Sequence, residues 1–80
     1  MHYVVVNKYS IDGDYGVDIL AVAHNEEELL DVFNKYREIE KEHAEEVGLT
    51  VYTDEKYVFD AGLTGRYEDY FTKLCVHPVK

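Results

Sequence analysis

Eighty residues make one small domain, residues 1–80, and leave no room for a catalytic domain of ordinary size. Seventeen Asp and Glu stand against eight Lys and Arg, a formal net charge of −9, so the chain lacks the clustered cations that bind nucleic acid or an anionic membrane directly. With 46% hydrophobic and 14% aromatic residues it is too apolar for a disordered acidic tail, and a folded domain is expected.

Met1 to Lys8 form neither the basic n-region nor the apolar h-region of a secretory signal. No apolar run approaches the roughly 20 residues that cross a bilayer, so the expectation is a soluble, cytoplasmic protein. The single cysteine, Cys75, has no partner for an internal disulfide, and burial alone must hold the core.

Residues 2–11 and 15–24 read as two strands rich in β-branched and aromatic side chains, with Asp12-Gly13 as the two-residue turn between them. A type I′ turn there sets Val4 opposite Ala21 and Val6 opposite Ile19 on one face. The same register sets Tyr3 opposite Val22 and Val5 opposite Leu20 on the other. Both faces are apolar near the chain start, so the hairpin needs a second cover besides a helix, either a loop or another subunit. Val5, Leu20 and Val22 are the candidates for self-association in a homodimer. Lys8, Ser10, Asp14 and Asp18 place the hairpin tip in water.

Asn25 followed three residues later by Glu28 has the N-cap and N3 pattern of a helix start, and Glu26, Glu27 and Glu28 suit its positive end. Gly48 sits where a left-handed C-terminal residue is wanted. Leu29, Val32, Phe33, Tyr36, Ile39, His43 and Val47 share one broad arc that can pack on a sheet. After Gly48, Leu49–Thr53 and Lys56–Asp60 have strand composition, either as two strands turning at Asp54-Glu55 or as one bent strand. Ala61 to Gly65 is a loop by its glycines, and Tyr70–Val76 is a last strand that Pro78 should close. The fold class is α+β: an antiparallel sheet of three to five strands in β-β-α-β-β order, with one long amphipathic helix packed on one face.

Most motifs that suggest chemistry fail on detail. From Asp12, a calcium loop would need glycine at position 6 and glutamate at position 12, where this chain has Val17 and Ala23. Cys75 and His77 share one side of a strand, but His2, His24 and His43 have no ligand spacing, so no metal or other cofactor is expected. Gly62-Leu63-Thr64-Gly65-Arg66 lacks the lysine and hydroxyl of a phosphate loop, and Arg66 has local acids such as Glu68 and Asp69 to pair with. Ser10 is the one serine, near a hairpin tip, and no second layer is expected to form a pocket that would desolvate a carboxylate; no enzyme is expected.

The acidic helix face stands out. Residues 26–48 hold nine Asp and Glu against three Lys and Arg, a balance of −6 within the chain's −9. Asp31 with Lys35 and Lys41 with Glu45 are favourable i,i+4 spacings, but Glu27 with Asp31, Glu38 with Glu42 and Glu42 with Glu46 each repel by a few tenths of a kcal/mol. Stability does not select such pairs. One helical turn separates them by about 6 Å, close to the spacing of successive phosphates along a nucleic-acid strand. Glu27, Asp31, Glu38, Glu42, Glu45 and Glu46 therefore form a candidate partner-binding row. Eight tyrosines, a tenth of the chain, supply a second signal. Tyr9 and Tyr15 near the hairpin tip and Tyr67 beside Arg66 are the interface candidates among them.

In size and composition the chain is similar to the small acidic inhibitors that mimic nucleic acid, used by phages and mobile elements against host DNA- or RNA-processing enzymes. That similarity carries no individual residue over. The expected function is non-enzymatic: an acidic helix face and tyrosine-bearing loops dock on a basic protein surface and block or regulate it. The alternative is a small homo-oligomeric α+β domain of structural or regulatory role, with no nucleic-acid-related target.

Overall fold

The computed structural model describes residues 2–79. Its elements run β1 (His2–Ile11), β2 (Asp14–Ala23), α1 (Glu26–Val47), β3 (Thr50–Glu55), β4 (Val58–Gly62) and β5 (Tyr70–Val79). The strands form one five-stranded antiparallel sheet in the order β2-β1-β5-β4-β3, with α1 on one face, which makes the chain α+β in β-β-α-β-β order. Because β2 and β3 are opposite edges, the helix that joins them must cross the whole sheet. A 22-residue helix is about 33 Å long, whereas five strands are only about 19 Å across, so α1 runs obliquely. It touches β2, β1, β4 and β5 on its way.

Asp12 and Gly13 have φ of 53° and 86°, the left-handed pair of a type I′ turn. That turn fixes the β1–β2 register from Ile11 opposite Asp14 to Val6 opposite Ile19. The ladder then slips by one residue, with Leu20 as the extra residue of a bulge. Val4 consequently faces Val22 and Val5 faces Ala21, which corrects the uninterrupted register expected from the turn alone. Val5 and Ala23 lie under the helix, while Ile19 and Val22 turn to the open face. The Tyr36 hydroxyl donates to the Leu20 carbonyl at 3.3 Å, which ties the bulge to α1. The hairpin tip is also less solvated than expected: Ser10 is fully buried, its hydroxyl donating to the Glu68 carbonyl at 3.2 Å.

Asn25 caps α1, its side-chain oxygen accepting from the Glu28 N–H at 2.8 Å. At the other end Gly48 is left-handed, and the Gly48 and Leu49 N–H groups both donate to the Ala44 carbonyl. The arc that reaches the sheet is narrower than expected. Leu29, Phe33 and Ala44 are buried and Val32 and Tyr36 partly so, but Ile39 is 49% and Val47 45% exposed, and His43 is exposed. The oblique crossing leaves Ile39 and His43 along the flank where the hairpin extends beyond the helix.

Beyond the helix, tertiary contacts override local signals. β3 and β4 are separate strands joined at Lys56-Tyr57, not at Asp54-Glu55. Asp54 is drawn toward α1 by Lys41 at 2.9 Å and by Arg37 Nε at 3.4 Å, the latter an ion pair without hydrogen-bond geometry. The Arg37 guanidinium also donates to the Glu55 and Lys56 carbonyls, and Tyr57 packs edge-on against Phe33. β5 continues through Pro78, which pairs with Tyr3, instead of stopping before it. β4 begins only opposite Cys75, so by residue 78 the strand has one neighbour and a missing N–H is tolerated.

Val5, Ala23, Leu29, Phe33, Ala44, Phe59, Ala61 and Leu74 form the core between helix and sheet. Phe33 and Phe59 fill the layer, and the alanines let the backbones approach. Phe33→Ala is expected to cost about 3–5 kcal/mol in urea unfolding, because the cavity opens in the core directly beneath α1. A loss below about 1 kcal/mol would contradict that central role.

Candidate functional site

The six carboxylates of the predicted row, Glu27, Asp31, Glu38, Glu42, Glu45 and Glu46, are all exposed on the outer side of α1. Among the described residues none of them forms an ion pair. The expected Asp31–Lys35 and Lys41–Glu45 pairs are not made. Lys41 and Arg37 turn inward to Asp54 on β3, and Lys35 lies over the Tyr36 ring. Two of the three cations of the helix are thus withdrawn from its outer face. Glu45 and Glu46 also occupy the last turn, which has no basic residue to meet the negative end of the helix dipole.

The three candidate tyrosines do not join that row. Tyr15 is 73% exposed on the open face of β2, its ring 6.2 Å from Phe71. Tyr67 is half-buried on that same face, stacked on Phe71 at 4.9 Å and edge-on to Tyr52 at 5.2 Å. Its hydroxyl donates to Asp60 at 3.2 Å, and Gly62 leaves the space its ring occupies. Burial first, then the Asp60 charge and hydrogen bond, push the Tyr67 phenol up to about 12. Tyr67 pins the loop and is not a free docking group; Arg66 pairs locally with Asp69 at 3.1 Å. Only Tyr9 lies on the helix side, half-buried, its ring over Gly16 where any Cβ would overlap it.

The predicted self-association residues are likewise split. Val5 is fully buried in the core and Leu20 packs against it: Val5 falls on the helix side of β1, and Leu20, next to outward-facing Ile19, falls on the same covered side. They cannot form a seam in the folded chain. Val22, 49% exposed, instead joins Tyr15, Val17 at 61% and Ile19 at 71% along edge strand β2. Cys75 Sγ lies 3.8 Å from His77 Nε2, and among the described residues no group of three His, Cys, Asp or Glu is placed to hold a metal.

A cleft that the sequence reading did not anticipate opens between α1 and the overhanging β1–β2 hairpin, with a volume of about 480 Å³. Tyr9, Ile11, Ile39 and Tyr70 line it together with Glu40. Glu40 Oε2 accepts from Thr72 Oγ1 at 3.1 Å and Oε1 from Asn7 Nδ2 at 3.4 Å, while Asn7 also donates to Thr72 at 2.7 Å. Glu40 carried its own signal: it stands seven residues after Phe33 and four before Ala44, on the arc that packs against the sheet.

No family model, no curated protein and no solved structure matches the chain. Among the described residues no helix is long and apolar enough to cross a membrane.

The Tyr67 environment has a pH consequence. Its folded phenol holds the proton to about pH 12, whereas the unfolded one releases it near 10.0, so this contribution is complete below pH 10.0 and is lost as pH rises through the folded value. Tyr67→Phe is expected to flatten the decline in stability between pH 10.0 and about 12, read by urea unfolding at stepped pH. An unchanged decline in the variant would contradict the assignment.

Proposed function

We propose that this is a non-enzymatic binding protein whose outer helix face docks on a basic surface of a partner protein and blocks or regulates it, as a nucleic-acid mimic of the phage or mobile-element kind. The observation that carries this reading is the withdrawal of Arg37 and Lys41 to Asp54, which leaves a row of solvent-facing carboxylates with Lys35 as the one helix cation outside that ion-pair cluster. Repelling i,i+4 pairs and acids at the C-terminal turn cost helix stability, so the row is better explained by what it binds. Complementary charge of this kind accelerates encounter and sets register on the partner. Tyr15 and Tyr67 play no part in that contact, since they lie on the far side of the sheet.

Glu38→Lys, Glu42→Lys and Glu45→Lys in one variant should leave the fold intact and abolish capture of the basic partner from the source cell. Capture by the wild type should weaken as salt is raised from 0.05 to about 0.5 M, where exposed charges are screened. Undiminished capture by the triple variant would overturn the reading.

A second reading, self-association, is favoured by one observation: Tyr15, Val17, Ile19 and Val22 expose large apolar groups side by side on an unpaired edge strand. They present roughly 400–500 Å² per copy, so two copies bring together about 800–1,000 Å², the size of a weak or transient interface. A concentration-dependent mass that Ile19→Lys makes monomeric, without loss of helix signal, is expected. A wild type that stays monomeric at millimolar concentration would rule the seam out. The two readings use opposite sides of the molecule and are compatible.

A further inference from the structure

We propose that the cleft between α1 and the β1–β2 hairpin receives one long cationic side chain, an arginine or lysine of the partner; this rests on the reading that the partner surface is basic. The cleft follows from topology: a helix crossing obliquely between opposite edges leaves one corner of the sheet, at the hairpin tip, uncovered. At its base the Glu40 carboxylate is held in one direction by Thr72 and Asn7, both neutral donors. Among the described residues no Lys or Arg lies within ion-pair distance of Glu40, and the nearest helix cations in sequence, Arg37 and Lys41, are engaged by Asp54. A half-buried carboxylate with a fixed orientation and no counter-charge gains most from an incoming cation, which adds a charge-assisted hydrogen bond to the two neutral ones.

The walls fit the rest of such a side chain. Ile11 and Ile39, 51% and 49% exposed, offer apolar surface on either side for an aliphatic stem. The Tyr9 ring, seated over Gly16, adds an aromatic group to the lining. Asp18 adds a second negative charge to the lining. An anionic group would be repelled here, and a neutral apolar group would cover Glu40 without pairing it. Arginine is among the side chains that most often form interface hot spots when seated in a desolvated pocket. The outer carboxylate row would then steer the partner, and this cleft would fix one of its side chains.

The test uses the whole chain and the probe N-acetyl-arginine methylamide, with the neutral citrulline analogue as control, followed by amide chemical shifts. Saturable shifts at Asn7, Tyr9, Ile39, Glu40 and Thr72 are expected with the arginine probe and not with the citrulline one. Glu40→Gln should weaken them about tenfold or more, the weight of one charge-assisted hydrogen bond. Ile39→Ala, at a half-exposed position that the core does not need, should weaken them with the fold retained and serves if Glu40→Gln is destabilised. The Glu38, Glu42, Glu45 charge-reversal variant should keep the cleft shifts, so a failure of the outer face and a failure of the cleft are read separately. The proposal is overturned if shifts appear only along the outer carboxylates, if the citrulline probe shifts the cleft equally, or if neither variant weakens binding.

Discussion

A single helix has to cover one face of five strands while its two ends are tied to the opposite edges of the sheet. Much of the rest follows from that constraint. The helix must run obliquely, so its buried arc is narrow, and alanines at positions 23, 44 and 61 take it close to the sheet. At the far edge it is fastened through Arg37 and Lys41 to Asp54, and through Arg37 to the carbonyls of the β3–β4 turn. At the near edge it leaves the hairpin corner bare, which is where the cleft forms.

The same fastening sorts the charge of the molecule. Each cation spent on Asp54 is one fewer on the outer face of α1, and the exposed carboxylates there are left without helix partners. Surface ion pairs of this type contribute at most about 1 kcal/mol each. Their larger effect is on where the negative potential lies. The open face of the sheet has a different character, with the aromatic group of Tyr15, Tyr52, Tyr67 and Phe71 at one end and the bare apolar edge of β2 along one side. The two faces differ in chemistry and would suit different contacts.

The elements that carry their own local chemistry were legible in the sequence. Asp12-Gly13 specified the turn, Asn25 and Gly48 bounded the helix, and the acidic row occupies the outer face it was assigned. What was not legible depended on distant partners. No residue near Leu20 announces a bulge, yet one slipped residue set Ala21, not Leu20, opposite Val5 and brought Val22 beside Ile19 on the open face. The β3–β4 turn lies two residues beyond Asp54-Glu55, where the guanidinium of Arg37, some eighteen positions away in sequence, binds the Glu55 and Lys56 carbonyls. Tyr67 looked like an exposed loop residue because its stacking on Phe71 depends on how the loop folds back over β5. Glu40 shares its residue type with the other acids of the helix, but its place on the packing arc separates it from them.

Central to this protein is the division of α1 into an inner face that holds the fold and an outer carboxylate face that does not. Thermal unfolding of the Glu38→Gln, Glu42→Gln, Glu45→Gln variant tests it most directly, since glutamine keeps size and helix preference while removing charge. A midpoint equal to or above that of the wild type is expected, because like-charge pairs worth about 0.2–0.5 kcal/mol each are relieved. A fall of more than about 4 °C, near 1 kcal/mol for a domain of this size, would show that the outer carboxylates serve the fold.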